Sequence, residues 1–218
     1  MFEGFSEKTS EFLWGLALNN EKSWFEAHRA EYEKYLRAPF HDLAVQTAAL
    51  MEQRFPKAGL KLRITRIYRD ARRLHGKGPY KDHLWFTLIG DREDTTGPGF
   101  WFEIGPADYS YGMGTYAASA DKMEAHRKSI AANPARMEGL AKMFEKQDLF
   151  VLGEEDYKKP KGDMGELLNK WYNKKQIELI CRKEFGEELF SPELPQTLLE
   201  GYSFLMPYYE FFSESMFA

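Results

Sequence analysis

The sequence predicts an α+β fold, in which a mainly antiparallel sheet of four or more strands is flanked by N-terminal and C-terminal helices. Three observations support this prediction. Apolar residues recur with helical spacing towards both ends of the 218-residue chain. The middle of the chain contains short runs rich in β-branched and aromatic residues. The connections between these runs are short, which favours neighbouring antiparallel strands over a parallel sheet.

Helices are predicted first, in the N-terminal part of the chain. Ser6 is a typical N-cap residue, and Asn19 and Asn20 are residue types that tolerate a left-handed helix end. A second helix is expected over about residues 21–36. A third is expected over about residues 39–54, because proline is favourable in the first turn of a helix.

Four strands are predicted in the middle of the chain. They cover residues 62–70, 83–89, 100–104 and 109–113. The second and third are joined by the polar segment 90–99, which contains glycine and proline. This order predicts an antiparallel meander.

Helical spacing returns after the fourth strand. Ser119 or Asp121 can cap one helix, and Asn133 followed by proline starts another. Residues 177–183 form a strand or a short helix, and the strand is favoured. A C-terminal helix follows, with an interruption expected at Pro207.

Composition restricts the class of protein. With 43% hydrophobic residues the chain can bury a large core, and its net charge of −4 argues against polyanion binding by overall charge. One cysteine, Cys181, excludes an intramolecular disulfide and a CxxC pair. The N-terminus lacks a secretory pattern, and no apolar run is long enough to span a membrane. We therefore expect a single cytoplasmic domain over residues 1–218, with no membrane association.

One stretch, residues 61–83, concentrates positive charge, and we call it the basic segment. It holds eight lysines and arginines against two aspartates, a net charge of +6, whereas the rest of the chain carries −10. Strand alternation would place Arg66 on the face of Leu62 and Ile64 and Arg69 on the face of Ile67. A buried guanidinium needs an acceptor or anion, since an unpaired buried charge costs several kcal/mol, on the order of 3–5.

Two interpretations of the basic segment remain open. In the first, Arg66, Arg69 and Asp70 form structural ion pairs with neighbouring strands, for instance with Glu103. In the second, they bind an anionic small molecule, carboxylated or phosphorylated, together with the turn around Gly76, Lys77 and Gly78. The residues predicted to bind this ligand are Arg66, Arg69, Asp70, Arg72, Tyr80, Lys81, Gly112 and Gly114.

Histidine is the natural acid–base group at neutral pH, and His83 is the predicted catalytic residue, ahead of His75. Alternation along an extended chain would put Asp82 and His83 on opposite faces, so their adjacency does not predict a dyad. Gly112 and Gly114 are also explained by a bulge or a close backbone approach. Whether the protein is an enzyme is left open.

Other chemistry has little support in the sequence. The five histidines show no HExxH spacing, and GxSxG and GxxxxGK[ST] are absent. The GxGxxG pattern fails because position 117 is alanine. No metal or cofactor is therefore predicted. Two alternative functions are a nucleic-acid binder that stacks bases on Tyr68, Tyr80 and Trp85, and a non-catalytic module that docks an acidic protein surface.

The motifs taken together resemble a known family. FLWGLALNNEKSWF at residues 12–25 and RIYRDARRLHGKGPYKDH at residues 66–83 are similar to the FLxxLxxNNxxxWF and RxYRDxRxxxxxxPYKxH motifs of a widespread bacterial and fungal domain-of-unknown-function family. The resemblance covers nearly the whole chain and implies a shared fold, without an established activity. Residues 73–76 depart from the usual Phe-Ser-Lys-Asp. The matching positions are Asn19, Asn20, Trp24, Phe25, Arg66, Arg69, Asp70, Arg72, Pro79, Tyr80, Lys81, His83, Gly112, Gly114 and Arg127.

Overall fold

The computed structural model describes residues 1–70, 72, 78–91 and 96–217. Over these residues six strands form one antiparallel sheet, in the order β1-β2-β3-β4-β6-β5. The α+β prediction is confirmed. The strands are β1 (Leu60–Ile64), β2 (Leu84–Gly90), β3 (Pro98–Ile104), β4 (Asp108–Thr115), β5 (Val151–Leu152) and β6 (Glu178–Glu184).

Helices lie on both sides of the strands in the chain, as predicted. Ser6 opens the first helix with a capping box shared with Thr9, and the side chains of Ser119 and Asn133 cap two later ones. The helices are α1 (Glu7–Leu18), α2 (Lys22–Ala27), α3 (Arg29–Glu31), α4 (Ala38–Arg54), α5 (Ala120–Ala132), α6 (Pro134–Phe144), α7 (Glu166–Tyr172), α8 (Glu187–Phe190) and α9 (Leu194–Phe217), with a π-helical turn at Tyr32–Arg37 and a 3₁₀ turn at Pro56–Ala58.

The helix expected over residues 21–36 is instead divided. It breaks at His28, and a π-helical turn leads directly into α4. Ala38 N–H donates to the carbonyl of Glu33, five residues earlier, which is the π-helical spacing. Pro39 has no backbone N–H and cannot make the usual helical hydrogen bond. The wider π-helical turn before it lets the chain stay helical across this residue.

Pro207 does not interrupt the C-terminal helix, and the prediction of a break there was wrong. Helix α9 runs without interruption from Leu194 to Phe217. Pro207 is exposed, whereas Met206 and Tyr208 beside it are buried. Burial of the neighbouring side chains offsets the cost of about 3 kcal/mol that proline imposes inside a helix.

The chain groups into two compact units. Unit 1 consists of Met1–Leu88, Trp101–Tyr111 and Arg182–Glu200, and unit 2 of Ile89–Phe100, Gly112–Cys181 and Gly201–Ala218. The expectation of a single domain stays a prediction. None of the helices in the described part of the chain is long and apolar enough to cross a membrane.

The core of unit 1 is aromatic. Phe40 of α4 packs against Phe86 of β2 with ring centroids 5.8 Å apart, and Phe86 stacks on Phe102 of β3 at 5.6 Å. All three rings are almost completely buried, and each contributes about 1.5–3 kcal/mol of hydrophobic stabilisation. These contacts hold one face of β2 and β3 against the N-terminal helices.

The opposite side of the same two strands is more accessible. Trp85 on β2, and Trp101 and Glu103 on β3, alternate with the buried phenylalanines and are partly exposed. We call the face that carries these three residues the outer face. It is the part of unit 1 on which the candidate site is built.

Unit 2 has its own aromatic core. Trp171 of α7 stacks on Tyr208 of α9 with centroids 5.9 Å apart, and Phe144 of α6 meets the edge of Trp171 at 5.3 Å. His126 of α5 is fully buried among these helices and contacts Phe212 at 5.2 Å. Helix α7 was not predicted, because its seven residues lie inside a charged and turn-rich segment.

Candidate functional site

Residues 67–69 and 79–81 of the basic segment lie side by side and antiparallel, and we call them its two arms. Tyr68 and Tyr80 form an isolated antiparallel bridge, in which Arg69 N–H donates to Pro79 O at 2.8 Å and Lys81 N–H donates to Ile67 O at 2.7 Å. Strand β1 ends at Ile64, so the strand expected over residues 62–70 is only partly present. The pairing of the two arms brings the charged residues at positions 66–69 next to those at 81–83.

Asn20 joins this pair of arms to the N-terminal helices. Its Oδ1 accepts a hydrogen bond from Tyr80 N–H at 3.0 Å, and its Nδ2 donates to Tyr80 O at 2.9 Å. The ring of Phe25 stacks on the ring of Tyr80 at 4.1 Å. Tyr80 is 2% exposed, so it belongs to the core of unit 1. The assignment of Tyr80 to a ligand site stays a prediction.

Hydrogen bonds to Asp82 connect Arg69 and His83. Arg69 donates through Nε to Tyr80 O at 2.6 Å and through Nη2 to Asp82 Oδ1 at 3.2 Å. The same Oδ1 lies 2.9 Å from His83 Nδ1. Burial alone would raise the pKa of Asp82, but the hydrogen bond from His83 and the charges of His83 and Arg69 outweigh it, so this pKa lies below its usual value.

The expectation that Asp82 and His83 lie on opposite faces was wrong. It assumed an extended chain, whereas the backbone bends at Asp82 and β2 begins only at Leu84. An ionised carboxylate is an acceptor only, so His83 Nδ1 must carry the proton, and Nε2 is the nitrogen left to exchange one. The ring of His83 also stacks on that of Trp85, with centroids 5.4 Å apart.

Lys81 and Arg66 meet beside these residues. The Lys81 ammonium donates to Arg66 O at 2.5 Å and lies 4.8 Å from the centre of the Trp85 ring. Burial, followed by the charges of Arg69 and Arg66, lowers the pKa of Lys81. Arg66 itself is exposed, which corrects the expectation that it lies among core residues; Ile67 is the buried residue here.

Asp70 and Arg72 pair with each other. Arg72 donates to both carboxylate oxygens of Asp70, with Nη2 to Oδ2 at 2.6 Å, and its backbone N–H donates to Asp70 Oδ1 at 3.0 Å. The Arg72 side chain is 87% exposed. Exposed pairs of this kind contribute about 0–1 kcal/mol. The described contacts of these two predicted ligand residues are thus local ones.

Glu103 is a titratable residue of the outer face that was considered only as a structural partner for the arginines. No residue in the described part of the chain donates a hydrogen bond to its carboxylate or forms an ion pair with it. Burial raises its pKa; the charges of His83 and Arg182 act against this, and those of Asp108 and Asp82 add to it. The alternation of side chains along FWFEI, residues 100–104, could have indicated that Glu103 lies on the same face as Trp101, two residues earlier.

Gly112 and Gly114 lie in unit 2, where β6 passes closely over β4. A Cβ added to Gly112 would lie 2.0 Å from Leu179 O, and one added to Gly114 would lie 2.6 Å from Ile177 O. The close approach of β6 accounts for both glycines. Their assignment to an anion site stays a prediction.

Several parts of the predicted site lie outside the described residues, namely His75, Gly76 and Lys77. A groove of about 270 Å³ occurs elsewhere in unit 1, lined by residues that include Glu3, Lys34 and Asp42, and it contains none of the predicted site residues. Within the described ranges, no three His, Cys, Asp or Glu side chains are grouped as they would be around a metal ion.

One known protein family matches most of the chain. A family model described as conserved hypothetical protein (DUF2461) matches residues 8–211. The chain belongs to this family. The DUF2461 match spans both compact units and confirms the predicted membership of a domain-of-unknown-function family. None of the curated proteins compared with this DUF2461 chain matches it.

Proposed function

We propose that this DUF2461 protein binds a small carboxylated or phosphorylated anion at Arg66, Arg69 and Lys81, which we call the cationic cluster. The observation that carries the proposal is the contact of Lys81 with Arg66. The Lys81 ammonium is hydrogen-bonded to the backbone carbonyl of Arg66 and lies over Trp85, and these contacts hold it where the charges of Arg69 and Arg66 act on it. Such an arrangement is suited to an anion with several acceptor oxygens.

Described carboxylates balance the charges of the cluster only in part. Arg69 bonds to Asp82, which also accepts from His83, whereas Arg66 has no ion pair with any described residue. Burial lowers the pKa of Lys81, and the positive charges of Arg69 and Arg66 lower it further. A bound anion would relieve the repulsion, and this gain adds to the direct hydrogen bonds.

His83 is the acid–base group in this proposal. Asp82 holds Nδ1, so Nε2 is the nitrogen that can donate a proton to a bound anion or accept one from it. Its stacking on Trp85 fixes the plane of the ring. Whether proton exchange leads to turnover is a separate question, which depends on the ligand.

Nucleic-acid binding is the weaker alternative. Of the three rings predicted to stack on bases, Tyr80 is buried against Phe25, and Trp85 already contacts Lys81 and His83. Tyr68 is 45% exposed. A single well-exposed ring is a poor platform for successive bases, which supports a small anion as the ligand.

The test is calorimetric titration of the full chain with phosphate, citrate and acetate at constant ionic strength. We expect at least one of these anions to bind, and the double variant Arg66→Gln/Lys81→Gln to bind it about tenfold more weakly or worse. The matched control is Lys22→Gln/Lys57→Gln, which removes two exposed charges elsewhere in unit 1. Equal affinity in both double variants, or no binding by the wild-type chain, would reject the proposal.

A further inference from the structure

A second group of cations lies in unit 2, around the ring of Tyr157. Arg127 of α5 lies with its guanidinium carbon 5.4 Å from the ring centre, and Lys161 places its ammonium 4.5 Å from the same centre. Two positive charges therefore share one aromatic ring. Cation–π contacts are individually worth about 0.5–2 kcal/mol and do not remove the need for hydrogen-bond acceptors.

One nitrogen of the Arg127 guanidinium lacks a described hydrogen-bond acceptor. Its Nη1 is buried, and no described residue accepts a hydrogen bond from it. Guanidinium is always protonated in proteins, and a buried donor left without an acceptor costs about 1–3 kcal/mol, more when the group is charged. An acceptor supplied from outside the chain would recover this free energy.

The carboxylates near these cations are already engaged. Glu124, which interacts electrostatically with Arg127, forms an ion pair with Lys128 at 2.8 Å. Asp163 accepts from Asn169 at 2.9 Å, and Asp156 pairs with Lys174 at 2.8 Å. The positive charges around Tyr157 are consequently left without a described carboxylate of their own. Lys158 and Lys159, which follow Tyr157 in the chain, are exposed and add to the positive potential.

Asn173 makes three hydrogen bonds to the loop that carries Tyr157 and Lys161. Asn173 accepts from Lys161 N–H through Oδ1 at 2.7 Å and donates from Nδ2 to Gly162 O at 3.2 Å. Its backbone carbonyl also accepts from Tyr157 N–H at 3.1 Å. The loop backbone is thus fixed at both residues, while the exposed Lys161 side chain keeps its freedom to move.

We infer that Arg127, Tyr157 and Lys161 form a second anion-binding site, which takes a phosphorylated small molecule. Arg127 presents forked N–H donors, Lys161 supplies a mobile charge that closes over the ligand, and the Tyr157 hydroxyl can donate to a phosphate oxygen. Since Nη1 is buried, an incoming anion reaches it only after a local side-chain movement. The displaced Lys161 ammonium then pairs with the anion.

Calorimetric titration of the full chain with inorganic pyrophosphate tests this inference. We expect saturable binding by the wild-type chain, about tenfold weaker binding by Arg127→Gln and about threefold weaker binding by Lys161→Gln. Lys146→Gln, which removes an exposed lysine of the same unit, should bind like the wild type. Far-UV circular dichroism checks the fold of each variant.

The outcomes separate this site from the cationic cluster of unit 1. Absence of pyrophosphate binding, or wild-type affinity in both Arg127→Gln and Lys161→Gln, overturns the inference. If Arg127→Gln does not fold, Lys161→Gln decides alone. Loss of binding only in Arg66→Gln/Lys81→Gln would support the proposed function of the cluster and reject the second site.

Discussion

The side-chain amide of Asn20 pairs with the backbone of Tyr80, accepting from its N–H at 3.0 Å and donating to its carbonyl at 2.9 Å. The two residues are separated by 60 positions in the chain. The same carbonyl accepts from Arg69 Nε at 2.6 Å. The backbone of Tyr80 therefore links the segment that follows α1, the aromatic core and the charged residues of the candidate site.

Asn20→Asp should weaken this link strongly. Aspartate keeps one acceptor but loses the Nδ2 donor, and it brings a negative charge next to the Tyr80 carbonyl oxygen. We expect the free energy of unfolding to fall by about 2–3 kcal/mol, measured by urea denaturation. The control is Asn19→Asp, whose amide makes a single exposed bond to Gly15 O. Equal losses in the two variants would contradict the proposed role of Asn20.

Gly78→Ala and Gly139→Ala should change stability in opposite directions. A Cβ at Gly78 would lie 2.2 Å from Asn20 Oδ1 and 2.5 Å from Asn20 O, whereas one at Gly139, inside α6, meets nothing within 4 Å. We expect a loss of about 1–3 kcal/mol for Gly78→Ala and a gain of about 0.5–1 kcal/mol for Gly139→Ala. Thermal unfolding measures both, and a stabilising Gly78→Ala would show that Asn20 can move aside.

The local pattern of the chain predicted most elements because each has one buried face. Residues 83–89, 100–104 and 109–113 correspond to β2, β3 and β4, and the favoured strand at 177–183 corresponds to β6. Alternation failed where it was carried past the end of β1. The chain leaves the strand after Ile64, so the phase that placed Arg66 inside no longer applies, and Ile67 is buried instead.

Contacts of the candidate site were harder to predict, for two different reasons. The Asp82–His83 hydrogen bond depends on a local bend, which the residue types at 81–83 do not specify. The partner of Tyr80 is Asn20, and a contact over such a distance in the chain follows from the packing of α1 and α2, not from local spacing. The concentration of positive charge did indicate the basic segment, but it did not indicate which of its charged side chains have partners within the protein.

Asp82 should fix the tautomer of His83. In the neutral imidazole we expect the proton on Nδ1, because the Asp82 carboxylate can only accept. Nitrogen-15 NMR of the histidine ring at a pH where it is neutral measures this. Asp82→Asn removes the constraint and should give a mixture of tautomers, while Asp42→Asn should leave His83 unchanged. A wild-type ring protonated mainly on Nε2 would contradict the assignment.

Glu103→Gln should stabilise the protein at neutral pH. Burial raises the pKa of Glu103 in the folded state, so the folded protein holds this proton to a higher pH than the unfolded chain does. Its contribution to stability is therefore present below the unfolded pKa and is lost as the pH rises through the folded pKa. Glutamine avoids that loss, so the variant should gain stability at pH 7 and differ little at pH 4. Glu184→Gln, at the exposed last residue of β6, is the control, and urea denaturation at both pH values is the measurement.

His126 should make the protein sensitive to mild acid. Burial lowers the pKa of His126 to about 4. The hydrogen bond between Nε2 and Trp171 O, at 3.4 Å, acts in the opposite direction but is outweighed. The unfolded chain, in which histidine has a pKa near 6.5, binds the proton first, so stability is full above that value and falls as the pH drops towards 4. The shift corresponds to a loss of about 3 kcal/mol across this window.

The variant His126→Phe removes this dependence while keeping a ring of similar size in the aromatic core. Its unfolding free energy should change less than that of the wild type between pH 7 and pH 4, as followed by urea denaturation at half-unit steps. Exposed His41→Gln is the control and should retain the wild-type slope. An unaltered slope in His126→Phe would mean that other groups, such as those whose carboxylates are paired in the folded state, set the acid sensitivity.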